Sequence, residues 1–115
     1  MGIGGDILKV NILGTDYEIR KVGVKEYPKL STMNANGLAE LYSKELIINA
    51  EMNSKSGEEF ANFKGFENKV IRHEIIHAFF HESGLVDYTA DEDLVNWIAL
   101  EFPKILKAFQ KADCL

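Results

Sequence analysis

Three histidines stand four residues apart in the stretch VIRHEIIHAFFHESGL, at His73, His77 and His81, within a run that is otherwise mostly apolar. The first two bracket Glu74 in an H-E-x-x-H pattern. On a helix, four residues make about one turn, so the two imidazoles project from one face about 6 Å apart along the axis and can grip one ion together. Glu74 points about 100° further round, beside such an ion and not onto it, which is where a general base belongs. Imidazole pairs suit zinc, and a zinc site with three protein ligands and one open position lowers the pKa of bound water to about 7. Glu74 is then expected to take that water's proton as it attacks a polarised carbonyl. Val70, Ile71, Ile75, Ile76, Phe79 and Phe80 surround the motif, so two imidazoles and a carboxylate would be buried together. That arrangement is costly without a partner such as a metal. Core histidines in a metal-free structural domain are the plainer alternative.

Two histidines leave a catalytic zinc site one ligand short. His81 lies about 6 Å beyond His77 on a continuous helix, out of reach of an ion held by His73 and His77. The metzincin pattern H-E-x-x-H-x-x-G-x-x-H bends the chain at a glycine, but Phe80 stands at the glycine position and Ser83 at the last histidine position, which excludes it. The third ligand is therefore expected from a following helix, where DEDLVN supplies Asp91, Glu92 and Asp93.

An H-E-x-x-H helix followed by EDLVN on a second helix resembles the gluzincins, in particular the short phage and mobile-element metallopeptidases related to the ImmA/IrrE group. The resemblance spans roughly residues 37 to 100. It implies Glu92 as third zinc ligand and Asn96, one turn later on the same face, as support for the zinc histidines. Val95 stands where that family usually has alanine. The resemblance also implies that GLAELY forms an exposed sheet edge beside the metal, where a peptide could add by main-chain hydrogen bonds. Gly37, Leu38, Ala39, Glu40 and Leu41 would then line the cleft, although an edge strand blunted by Glu40 reads equally well. Tyr88 and His81 are the nearby donors for an oxyanion or for the cleft rim. Glu92 has a competing role, since Thr89-Ala90-Asp91-Glu92 matches a T-x-x-E capping box in which Thr89 and Glu92 satisfy each other's backbone N–H groups.

These residues need elements to position them. ILKVNIL (7–13) and DYEIRKVGV (16–24) have strand character and are separated by Gly-Thr, a plausible hairpin turn. VKEYPKLSTMNAN reads as irregular, and a second hairpin is expected from GLAELY (37–42) through SKE into LIINA (46–50). After the polar NSKSGEEF the apolar period changes from two to about 3.6. A helix is predicted over 66–83, apolar nearly all round and hence buried, with Gly84 as its stop. Leu94, Val95, Ile98, Phe102, Ile105, Leu106 and Phe109 recur at helical spacing in a second helix, which Pro103 is expected to kink or break. Sheet first and helices second gives an α+β class, a minimal zincin-like domain over residues 1–115 with about four strands in a mixed or antiparallel sheet.

Composition sets outer bounds. At 115 residues the chain matches one small domain, and an apolar fraction of 46% rules out a disordered chain. A net charge of −5 without a Lys/Arg stripe argues against nucleic acid as a partner. No run of 18 apolar residues occurs, and MGIGGDILKV lacks both a signal-peptide pattern and the Ser or Thr of a myristoylation site, so no membrane partner and a cytoplasmic location are expected. The single cysteine, Cys114, permits no intramolecular disulfide. The expected function is zinc-dependent hydrolysis of a peptide or protein substrate. The alternative is a zinc-bearing regulatory or interaction module of phage origin.

Overall fold

The N-terminal hairpin turns one residue earlier than the Gly-Thr pair predicts. In the computed structural model, which describes residues 7–52 and 62–115, strand β1 covers Ile7–Ile12 and β2 Thr15–Val22. Leu13 and Gly14 occupy the turn with φ of +53° and +94°. Two successive left-handed residues match the right-handed twist of the flanking strands, and glycine suits the second of them. Asn11 fastens the turn, accepting from the Gly14 N–H at 3.0 Å and donating to Asp16 at 2.9 Å. The N-terminal MGIGGD and the polar stretch NSKSGEEF lie outside the described residues.

Pro28 opens a short helix α1 (Lys29–Thr32) inside the segment expected to be irregular. Strand β3 (Gly37–Glu40) and β4 (Glu45–Asn49) then form the second hairpin, each ending slightly short of its expected bounds. The order across the sheet is β1-β2-β4-β3, with β2 and β4 parallel and the other two pairs antiparallel. The sheet is therefore mixed, and β3 lies at one edge. Leu46, Ile47 and Ile48 of β4 are all buried, because this inner strand is covered on both faces. Ile47 packs with Val22 and Leu30 beneath α1, whereas Leu46 and Ile48 face the long helix α2 through Ala78 and Val70.

Helix α2 spans Phe63–Glu82, with the Asn62 side chain accepting from the Gly65 N–H at its start. Gly84, at φ +76°, supplies the left-handed residue that stops it, as its position predicts. The expectation of an all-round apolar, buried helix is corrected. Its buried positions are Glu67, Val70, Glu74, His77 and Ala78, with Phe66, Ile71 and Ile75 partly buried against the core and Phe79 42% exposed, so α2 turns inward a mixed face and not an apolar one. A carboxylate secures its end, where Glu82 accepts from Thr15, Tyr17 and Lys44 at 2.9, 2.6 and 2.8 Å.

A short helix α3 (Val86–Thr89) leads into α4 (Glu92–Lys111). Pro103 does not break α4, which continues through it to Lys111. Proline has no N–H for the carbonyl four residues earlier, that of Ala99. Arg72 of α2 supplies the missing donor, its Nε reaching the Ala99 oxygen at 2.7 Å, so the orphaned carbonyl becomes a link between the helices. The architecture is α+β, a four-stranded mixed sheet with helices packed on it. No helix among the described residues is long and apolar enough to cross a membrane.

Candidate functional site

Spacing within α2 and the starting point of α4 bring three side chains together. His73 and His77 lie one turn apart, with Nε2 atoms 3.2 Å from each other and rings edge-to-face at a centroid distance of 4.9 Å. Glu92, the first residue of α4, approaches both, with Oε1 2.9 Å from His73 Nε2 and Oε2 3.2 Å from His77 Nε2. The N-cap explains this register. Asp91 accepts from the Leu94 N–H at 3.1 Å and so is committed to the helix start, leaving the next carboxylate to face α2. Glu92 is thus not the partner of Thr89 in a capping box.

His73, His77 and Glu92 form a group that could hold a small cation. One ligand atom from each of the three residues lies within 4.8 Å of the others, and the close contacts run from 2.9 to 3.2 Å. A tetrahedral site with bonds of 2.0–2.1 Å has ligand atoms roughly 3.4 Å apart. Two imidazoles and a carboxylate match zinc in donor type. Glu92 is 68% exposed on its side chain, whereas His77 is buried, so the cluster has a protein side and a solvent side.

Glu74 borders the same small cleft of about 240 Å³ as His73, His77, Glu92 and the strand residues Gly37, Leu38 and Ala39. It is buried, and desolvation pushes its carboxyl up to about 8, with the Glu92 charge adding to the rise. Burial also lowers the His73 pKa, against the opposing effect of its hydrogen bond to the Glu92 carboxylate. Gly37 is what lets the strand pass so close: a Cβ there would sit 2.8 Å from Glu74 Oε2 and 3.0 Å from Val70 Cγ1. A second cavity of about 370 Å³ shares Gly37, His73 and Glu74 with the first and extends along α2 past Lys69 to Asn36 and Asn96.

The remaining sequence candidates fall in different places. Asn96 lines this second cavity and, among the described residues, makes no hydrogen bond to either histidine. Leu41 does not face the cleft, because β3 ends at Glu40 and Leu41 packs into the core beside Ile12 and Leu46. The Glu40 carboxylate is held by the Tyr27 hydroxyl and by Lys29 Nζ at 3.1 Å. His81 sits edge-on to Tyr42, and Tyr88 lies against Phe80 on α3; neither lines the two cavities beside Glu74.

Sequence reading missed Arg72 and misplaced Thr89. Thr89 is buried, donating to the His77 carbonyl at 2.9 Å, with its oxygen 3.3 Å from His77 Nδ1. The chain matches no family model, no curated protein and no solved structure, so its site is read from its own residues.

Proposed function

We propose that the protein is a small zinc metallopeptidase in which His73, His77 and Glu92 hold the ion and Glu74 moves the proton. The observation that carries this reading is the convergence of His73 Nε2, His77 Nε2 and the Glu92 carboxylate at 2.9–3.2 Å, with buried Glu74 in the same cleft. The gluzincin-like order of an H-E-x-x-H helix and a second-helix glutamate supports it from the sequence side.

Zinc bound there would act as a Lewis acid, polarising a carbonyl and bringing the pKa of water down toward neutrality. In its ionised form Glu74, adjoining Gly37, is placed to accept a proton from water and return it to the departing amine. Its burial excludes competing solvent from that exchange. Strand β3 is a sheet edge alongside, and Gly37–Ala39 offers an extended peptide main-chain partners next to Glu74.

Two measurements test the proposal together: the metal content of protein purified without added metal, and cleavage of a mixed peptide library. About one zinc per chain is expected, with hydrolysis that falls by roughly 10² to 10⁴ in Glu74→Gln while zinc stays bound. Folded protein that never holds zinc at neutral pH would remove the reading. Zinc without hydrolysis would leave a metal-bearing binding module in its place.

A further inference from the structure

We infer that Thr89 is a positioning residue that fixes the tautomer of His77, so that the ring's lone-pair nitrogen faces the Glu92 carboxylate. The inference deepens the metal-holding role proposed for His77 and rests on that reading.

A threonine hydroxyl has one proton and two lone pairs. The His77 main-chain carbonyl, 2.9 Å from Oγ1, can only accept, and this shorter of the two contacts assigns the Thr89 proton to it. That oxygen also lies 3.3 Å from His77 Nδ1, and with its proton already committed it can only accept there. Nδ1 must therefore carry the hydrogen. In the neutral ring Nε2 is then the lone-pair nitrogen, and it is the nitrogen that points at His73 and Glu92.

The consequence at the site is electrostatic. His77 Nε2 and Glu92 Oε2, 3.2 Å apart, are then both acceptors, with no proton of their own to share. Two facing lone pairs repel, and a cation between them turns that repulsion into binding. Thr89 thus excludes the competing tautomer, in which a His77 Nε2–H would donate to Glu92, and leaves His73 as the imidazole that can donate to that carboxylate. Metal-bound histidines commonly give their other ring N–H to such an oxygen, and loss of the acceptor lowers metal affinity.

Sequence proximity makes the device compact. Thr89 approaches the ring from the Nδ1 side, and Glu92, three residues later, from the Nε2 side. Burial of Thr89 keeps water from substituting for its hydroxyl. The T-x-x-E spacing that imitates a capping box is here the reach across one imidazole.

Long-range ¹H–¹⁵N NMR of histidine-labelled protein, without metal and above the histidine titration range, reads the tautomer directly. Wild type is expected to show His77 protonated at Nδ1 with a lone-pair Nε2. Thr89→Val, nearly the same shape, should populate the Nε2–H form and weaken zinc binding by about 10- to 100-fold, while Thr89→Ser restores both. A wild-type His77 protonated at Nε2, or a Thr89→Val protein with unchanged tautomer and zinc affinity, would overturn the assignment. If Thr89→Val does not fold, the wild-type and Thr89→Ser spectra decide. Wild-type protein that binds no zinc would remove the metallopeptidase reading, leaving the spectrum alone to judge Thr89.

Discussion

Replacing Arg72 by methionine tests how α4 tolerates its proline, and thereby how Glu92 is held. Pro103 leaves the Ala99 carbonyl without its helical partner, and Ala99 is fully buried, so water cannot easily take over. Arg72 Nε fills the gap at 2.7 Å. Hydrogen bonds from charged donors contribute about 1.5–3 kcal/mol, and an unsatisfied buried acceptor costs about 1–3 kcal/mol. Arg72→Met keeps most of the stem's packing and removes the donor, so a loss of about 2–3 kcal/mol is expected. In a Pro103→Ala background the residue 103 N–H can reach the Ala99 carbonyl, and the same Arg72→Met change should then cost about 1 kcal/mol.

The four proteins of this double-mutant cycle should show a coupling of about 1–2 kcal/mol by urea unfolding followed at 222 nm, with an unchanged denaturant slope. Equal costs of Arg72→Met in both backgrounds, within about 0.5 kcal/mol, would refute the idea that Arg72 substitutes for the missing proline donor. Arg72 is next to His73 on α2, and Ala99 lies two turns from Glu92 on α4, so the link spans the two elements that carry the candidate ligands. Zinc affinity is therefore expected to weaken in Arg72→Met and recover in the double variant.

Glu92→Ala should reduce zinc affinity severely in a competition titration, whereas Asp93→Ala, about 100° away round α4, should do little. Asp91→Ala, which removes the N-cap bond to Leu94, should cost about 1 kcal/mol of stability and leave zinc bound. Gly37→Ala places a Cβ 2.8 Å from Glu74 Oε2 and is expected to lower peptide hydrolysis at least about 10-fold with zinc content unchanged; full activity would show that Glu74 can shift at no cost. Glu82 is held down to about 2 by its hydrogen bonds to Lys44 and Tyr17, so its contribution to stability is present above the unfolded carboxyl pKa and is lost as pH falls through the folded value. Urea midpoints of wild type and Glu82→Gln should therefore differ most above about pH 5 and converge toward about pH 2.

What the sequence made legible was local. The α2 histidines and Glu74 share one turn, so their relation follows from helix geometry whatever lies around them. The short apolar run of LIINA likewise predicts a strand, and the burial of Leu46, Ile47 and Ile48 in succession makes it an inner one. Asp91, Glu92 and Asp93 were harder to separate, because one residue of helix register rotates each by about 100° and that register depends on which acid caps the helix. Asp91 does so through the Leu94 N–H, and the neighbouring Glu92 faces the histidines as a result.

The misreadings share a physical origin in contacts between elements. A proline within a helical pattern predicts a break only if its orphaned carbonyl has no other donor, and the donor here is 27 residues away at Arg72. A threonine three residues before a glutamate predicts a capping box only if both lie at one helix start; here Thr89 closes α3 and Glu92 opens α4. The fold of residues 83–91 decides both this and the position of Tyr88, which it turns against Phe80. That short connection packs against α2 through Thr89 because His77 presents a carbonyl and a ring nitrogen that one hydroxyl can satisfy together. The two motifs in the sequence, H-E-x-x-H and T-x-x-E, thus meet at one side chain: the first supplies the imidazole, and the second places a hydroxyl at its Nδ1 and a carboxylate facing its Nε2.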